Sequence, residues 1–426
     1  MTDSRPSRRL RQGRASLAIS FFVQGAIFAL LVTRIPALQD RYGISDGLLP
    51  LFLAAVPILA GVGSVSTEHL VKRMRPGLVL RVVQPIVSLA LLSAGSGTTV
   101  WQLAVALGVF GLTVGALDAS MNMLGVSLQR AYGRSIMLGF HGAYSLGGIA
   151  GASLAWVGAH WDLPLPTLYA PLVAVLVPVA LIAGRWYVDH RGDHRGDHQG
   201  EHRDDHRSDH RVDHPGAEPT EVVRDGTTVS MRALLPLCLV MAFAYIGDST
   251  VSNWSAKYLE DVLHSSEQLA TVPYNVYMVT TLLGRSFGDL GVRRFGAVTV
   301  VRAGALLAGG GFAVVAAAPG AWAGMAGFTL LGLGLCVLVP QTFAAAGRLF
   351  PGASDAAVAR LNIFNYVGFL IGSPLVGALG GAWNYRAAML VPMALVLMTI
   401  RYARSFSPVP AGYGDGHERP RTVDVG

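Results

Sequence analysis

Uncharged runs of about membrane-crossing length recur along this chain, and that recurrence constrains its fold more than any single motif. A helix rises about 1.5 Å per residue, so roughly twenty apolar residues cross the hydrocarbon of a bilayer. Measured by that length, the chain is predicted to hold twelve spans, near 15–34, 47–66, 79–97, 100–128, 135–158, 165–186, 232–254, 268–286, 298–317, 321–346, 358–381 and 387–403. Two runs, Val82 to Leu117 and Ala303 to Gly347, exceed one crossing. Each contains a break, Ser93 to Gly97 in one and Ala318-Pro319-Gly320 in the other, and so divides into a helical hairpin.

Composition agrees. Charged residues are 14% of the 426, against about a quarter in soluble chains, and 52% are hydrophobic, which argues against a soluble multidomain enzyme. Cys238 and Cys336 lie inside apolar stretches and read as small core residues, not a disulfide framework or a zinc quartet. The first run, Ala15 to Thr33, follows five arginines as a signal peptide would. Its nineteen uncharged residues are too many for a secretory core, and no small-x-small cleavage site follows, so it is expected to stay as a span.

The formal net charge of +7 raises the possibility of nucleic acid, which the placement of the charge argues against. With both termini cytoplasmic, 29 of the 33 basic residues fall on the inner side, leaving Arg34, Arg41, Lys257 and Arg386 outside. That asymmetry is the positive-inside rule at work, so a multi-pass protein of the cytoplasmic membrane is expected. Between the sixth and seventh spans run seven tetrads, from Asp189-His190-Arg191-Gly192 to Asp213-His214-Pro215-Gly216. They have no apolar face to offset ordering entropy and read as a solvated linker. Weak Zn or Ni binding by the histidines is the lesser reading.

An offset of 221 residues brings unlike features into register across the linker. Leu38, Asp40 and Ser45 fall on Leu259, Asp261 and Ser266; Glu68, Lys72, Arg73 and Arg81 fall on Asp289, Arg293, Arg294 and Arg302. Gly147 and Gly151 fall on Gly368 and Gly372, and His141 on Asn362. The expected fold is all-α, with twelve transmembrane helices in two six-helix pseudo-symmetric bundles. The bundles are placed at residues 1–187 and 231–404, joined by the linker at 188–230 and followed by a solvated tail at 405–426. In such parallel repeats the solute site lies between the halves near the midplane.

The segment Gly284-Arg285-Ser286-Phe287-Gly288-Asp289-Leu290-Gly291-Val292-Arg293-Arg294-Phe295-Gly296 resembles the signature cytoplasmic loop of the major facilitator superfamily, with Glu68 to Arg73 a degraded copy. Thr33 to Pro36, Gly139 to Gly148, and Asn253-Trp254-Ser255 with Tyr258-Leu259 resemble the rhizopine-permease-like (MosC-like) subgroup. The resemblance implies a secondary carrier that alternates access, and a solute of sugar or cyclitol type. The loop motif implies a latch at helix ends, with Glu68, Lys72, Arg73, Arg285, Asp289, Arg293 and Arg294 as gating residues. The fourth span lacks the arginine, and the fifth the Gly-Pro pair, usual in drug-proton antiporters of this superfamily. Gly372-Ser373-Pro374 lies in the eleventh span instead.

Only Asp118 and Asp248 are acids well inside apolar spans. A carboxylate there costs at least ~2.5 kcal/mol on insertion scales, so both are candidates for proton coupling, with Asp248 serving solute as well. Asp118 lies roughly 18 Å in from Arg130, with Gly111, Gly115 and Asn122 on its helix face. His141 is roughly 10 Å deep from the same side, and a fourth and fifth span lying side by side would bring it to Asn122, making it a proton relay. Gln24, Asn122, Tyr245, Trp254, Asn275, Gln341, Asn362 and Asn365 are the candidate solute-binding residues, with Tyr274, Tyr277 and Tyr366 as aromatic walls. A static hydrogen-bond knot is the competing role for each of the polar groups.

No Walker loop and no nucleophile-base pair is present, so neither ATP, an enzyme activity, a metal nor a cofactor is expected. The expected partners are a small-molecule solute, protons and the lipid bilayer, with the chain acting as a monomer. Proton-driven efflux of a drug or metabolite, and a non-transporting membrane sensor signalling through the linker, are the rival functions.

Overall fold

The computed structural model describes residues 6–44, 49–188, 229–266, 269 and 272–407. The His-rich tetrads and all but the first residues of the C-terminal tail lie outside them. Twelve spans follow in the expected order. The first six are Arg8–Thr33, Leu49–Leu70, Pro76–Ser96, Val100–Tyr132, Met137–His160 and Leu165–Ala183. In the second half they are Met231–Lys257, Val272–Phe295, Ala297–Ala317, Ala321–Leu335 continued by Leu338–Leu349, Ser354–Ala382, and Tyr385–Ala388 continued by Leu390–Tyr402. Nine helices among the described residues are long and apolar enough to cross a bilayer by composition alone. The second, fifth and eighth spans are the other three, and these lie where the two halves meet.

The breaks read from the sequence become turns. Thr99 opens the fourth span with a capping box: its Oγ1 accepts the Gln102 amide at 3.3 Å, and Gln102 Oε1 accepts the Thr99 amide at 3.2 Å. Gly133, at φ 62°, ends that span in the left-handed conformation that costs glycine least. The ninth span stops at Ala317 and the tenth begins at Ala321, so Ala318-Pro319-Gly320 is the whole connection.

One close pair recurs in both halves. The fifth span lies along the first, and the eleventh along the seventh. Gly147 and Gly151 face the backbone carbonyls of Phe22 and Ala26; their repeats Gly368 and Gly372 face Ala242 and the Ile246–Ser249 turn. In a bilayer the lipid is as apolar as leucine, so helices associate by close van der Waals approach, which glycine permits. The fourth span packs chiefly against the second, where Gly111 and Gly115 meet Val56 and Ala60, and barely touches the fifth. The expectation of fourth and fifth spans side by side is therefore wrong: the glycines on both helices select other neighbours. Gly304 and Gly311 pack against Gly334 and Gly327 inside the second bundle.

A β-carbon at Gly147 or Gly151 would stand against main-chain atoms, which cannot rotate away. Gly147→Val or Gly151→Val is expected to cost about 1–3 kcal/mol and to lower the melting temperature in detergent. Gly310→Ala, with open space around it, should leave melting unchanged or raise it slightly.

Candidate functional site

The halves touch through the second, fourth and fifth spans on one side and the eighth, tenth and eleventh on the other. Two acid clasps close the basic face of this interface. In one, Asp289 on the eighth span reaches the start of the fifth. Its Oδ1 accepts the Ser135 hydroxyl at 2.6 Å and the Leu138 amide at 3.4 Å, and its Oδ2 accepts the Gly139 amide at 3.0 Å. A carboxylate at a helix N-terminus meets unsatisfied N–H groups and the positive end of the dipole. Arg293 secures the same turn, donating to the Ser135 carbonyl from Nη2 at 2.6 Å and Nε at 3.1 Å.

In the other, Glu68 on the second span is gripped by Arg360 near the start of the eleventh. Nη2 lies 2.7 Å from Oε1, and Nε lies 3.2 and 3.1 Å from the two oxygens. Arg360 Nη1 also donates to the Val229 carbonyl at 3.0 Å, tying in the chain that enters the seventh span. Arg360 is missing from the residues singled out by sequence, yet the repeat contains the signal. The 221-residue offset maps Gly139 onto Arg360, so one clasp uses a backbone amide where the other uses a guanidinium. Arg130 adds bonds to the Pro351 carbonyl at 3.0 Å and Ser354 Oγ at 2.7 Å. Lys72 and Arg73 are exposed beyond the clasps, and Arg294 lies over Phe295.

Deeper in, Asp118 is held from both halves. Gln24 of the first span donates its amide to Oδ1, and Tyr366 of the eleventh donates its hydroxyl to Oδ2 at 2.5 Å. Tyr366, expected as an aromatic wall, is instead the donor that carries this contact across the interface. Asn122 donates to the Asp118 main-chain oxygen at 2.9 Å and leaves its own Oδ1 buried without a protein partner. Asn362 and Asn365 are buried and bond each other, and Asn362 reaches Ser64 of the second span at 3.4 Å, so they knit the interface rather than line an open wall.

Asp248 accepts the Tyr277 hydroxyl at 2.5 Å, a bond between the seventh and eighth spans of one half. Tyr245, one helical turn away, stands beside Gly368. Trp254 lies tilted against Tyr385 with ring centres 5.3 Å apart and covers Gly377 at the far end of the bundle. Asn275 is exposed on the eighth span.

His141 is not beside Asn122 as expected. Its ring lies between Phe21 and Phe343, at 5.4 and 6.1 Å, because the fifth span packs on the first and not the fourth. Its Nε2 is buried without a protein partner, as are both amide atoms of Gln341. Buried polar atoms nearly always find partners, and these three have none among the described residues. Arg285, expected at the outer latch, sits one turn deeper than Asp289, where Nη1 donates to Ser145 Oγ at 2.6 Å and the His141 carbonyl at 3.3 Å. Among the described residues no cluster of three metal-ligating side chains occurs.

Comparison with known proteins agrees with this geometry. A family model described as Major Facilitator Superfamily matches residues 237–419. An uncharacterized MFS-type transporter of Yersinia pestis is 28% identical over 391 residues, 91% of this chain and 94% of that protein. The membrane protein MosC of Rhizobium meliloti is 25% identical over 389 residues, 89% and 86% of the two chains. Among solved structures, the transporter FucP in the outward conformation superposes with a TM-score of 0.73 at 16% identity, covering 94% of this chain and 100% of that one. The fold is that of a multi-pass membrane protein, and the relatives it resembles are described as transporters or membrane proteins. The second half of the chain matches the Major Facilitator Superfamily model, and the whole chain resembles MFS-type transporters, MosC among them.

Glu68→Gln should weaken the closed basic face by about 1–2 kcal/mol, the scale of a charge-assisted bond at a half-exposed site. A cysteine placed at Ser145 should then be labelled several-fold faster by a membrane-impermeant thiol reagent from that face. Unchanged labelling would mean the clasp does not govern access.

Proposed function

We propose that this protein is a secondary active transporter of the cytoplasmic membrane, carrying a small polar organic solute of sugar or cyclitol type in exchange for, or together with, protons. Both termini and the basic face are cytoplasmic on this reading, as the positive-inside distribution favours. The state described is then closed to the cytoplasm, and a rocking of the halves that breaks both clasps would open it inward.

The observation that carries the reading is Asp118, a carboxylate at membrane depth whose two oxygens are taken by donors from opposite halves. An ionised carboxylate only accepts hydrogen bonds, and it suits both the Gln24 amide and the Tyr366 hydroxyl. Protonation places an O–H where one of those donors points, so the tie across the interface weakens. Proton binding is thereby linked to the movement of the halves, which is what coupling requires. The unpartnered Oδ1 of Asn122, the unpartnered amide of Gln341 and the phenols Tyr245 and Tyr274 support a polar, hydroxyl-bearing solute.

One observation favours efflux as the second reading. An apolar groove of about 410 Å³, lined by Pro57, Ile58, Val62, Ile363, Val367 and Leu370, opens sideways between the second and eleventh spans and reaches Tyr366. An amphiphile could enter by that route from the lipid.

The test uses purified carrier in proteoliposomes with an internal pH dye, challenged with sugars, cyclitols and cationic drugs. A solute-evoked proton flux should fall about tenfold or more in Asp118→Asn, while tracer counterflow of the same solute persists. Asp248→Asn should alter solute affinity more than coupling. Equal, mild effects of both substitutions would count against the reading, and a response restricted to the cationic drugs would favour efflux.

A further inference from the structure

The repeat makes it possible to ask what each interface residue does beyond holding the halves together. Arg285 and Ser64 are pseudo-equivalent, 221 residues apart, and both bridge to the early part of the opposing helix. Ser64 donates to the Ala359 carbonyl at 3.1 Å and accepts from Asn362 at 3.4 Å. Arg285 donates to the His141 carbonyl and to Ser145 Oγ, and His141 is the repeat of Asn362. One neutral hydroxyl therefore does on one side what a full positive charge does on the other. The bridging task does not need the charge.

Among the described residues Arg285 has no carboxylate at bonding distance, and Asp248, which feels its charge, gives its own bond to Tyr277. Among the described residues the ion pairs are Glu68–Arg360 and Lys257–Asp261, and Arg285 is in neither. Asp289, one turn away, has both oxygens committed to the start of the fifth span. Asp248 is held by Tyr277, two helical turns away toward the other face. Arg285 Nε is buried without an acceptor, and so is Nε2 of His141, the residue whose carbonyl Arg285 already holds. Guanidinium is donor-only, and a cation at this depth pairs with an anion or a backbone carbonyl; Arg285 has the carbonyl and keeps Nε to spare.

We propose that Arg285 binds an anionic group of the transported solute, so that the solute class is a hydroxylated carboxylic acid rather than a neutral polyol. This rests on the reading of the inter-half space as the solute site. A carboxylate accepts two parallel bonds from one guanidinium, which neither the Ser145 hydroxyl nor the His141 carbonyl can do. The arriving acid thus takes Arg285 from its contacts on the first half, so that binding loosens the same floor that must open for release.

The experiment compares matched acids and neutral analogues, D-gluconate and D-glucuronate against D-glucose and myo-inositol, in counterflow and in thermal stabilisation of the full-length carrier. Wild type should respond to the acids at least tenfold more strongly. In Arg285→Gln, which keeps a donor for Ser145, that preference should disappear while any neutral-solute response remains, and Arg285→Lys should recover part of it. Mere loosening of the interface would shift acids and neutrals alike and leave their ratio unchanged, which would overturn the proposal. A neutral polyol that drives proton flux equally in wild type and Arg285→Gln would also overturn it while leaving the carrier reading intact. A wild type indifferent to both acids overturns it as well.

Discussion

Carboxylates carried into an apolar slab must find donors, and this chain has few acids to place and few donors to meet them. Asp289 finds the exposed amides of a helix start, Glu68 finds a guanidinium, and Asp118 finds an amide and a phenol. Each of these three meets its partner on the opposite half of the molecule, with Asp118 gripped from its own half as well. The contact between the halves therefore sets a few directional polar bonds among apolar packing, with Val126 against Gly347 and Leu138 against Gly288. An interface made of a few directional bonds can be broken and remade, whereas the close backbone contact of the first and fifth spans cannot without unfolding the bundle.

The two halves repeat the plan but not its chemistry. At Gly139 and Arg360, and again at Ser64 and Arg285, equivalent positions use a backbone amide or neutral side chain in one half and a guanidinium in the other. The second half also supplies the phenols that hold both intramembrane acids, Tyr366 for Asp118 and Tyr277 for Asp248. Phenol donors drawn from one half and clasps shared by both are a division of labour that gene duplication followed by divergence of single positions would produce.

Much of the architecture was legible in advance, for physical reasons. Span length follows from bilayer thickness, breaks follow from Ser-Gly and Pro-Gly pairs, and the repeat follows from a constant offset. The candidate site was legible in part. Rarity alone marked Asp118 and Asp248, since an acid inside a span is costly anywhere. In the sequence Gln24 is one polar residue among several, and Tyr366 reads as a wall, because a hydroxyl's partner is a matter of which helices are neighbours. His141 was misplaced for the same reason, its ring boxed by Phe21 and Phe343 once the fifth span packs on the first.

The sequence by itself determined that this chain crosses a bilayer twelve times in two related bundles, because hydrophobic length, breaks and a 221-residue offset are one-dimensional properties. Only the tertiary structure decided that Arg360 answers Glu68, that Tyr366 closes on Asp118, and that Arg285 bonds to Ser145 and the His141 carbonyl. Those facts depend on which helix faces lie within about 3 Å of one another. In lipid that choice is made by shape, glycine against backbone, and shape does not appear until the helices are packed.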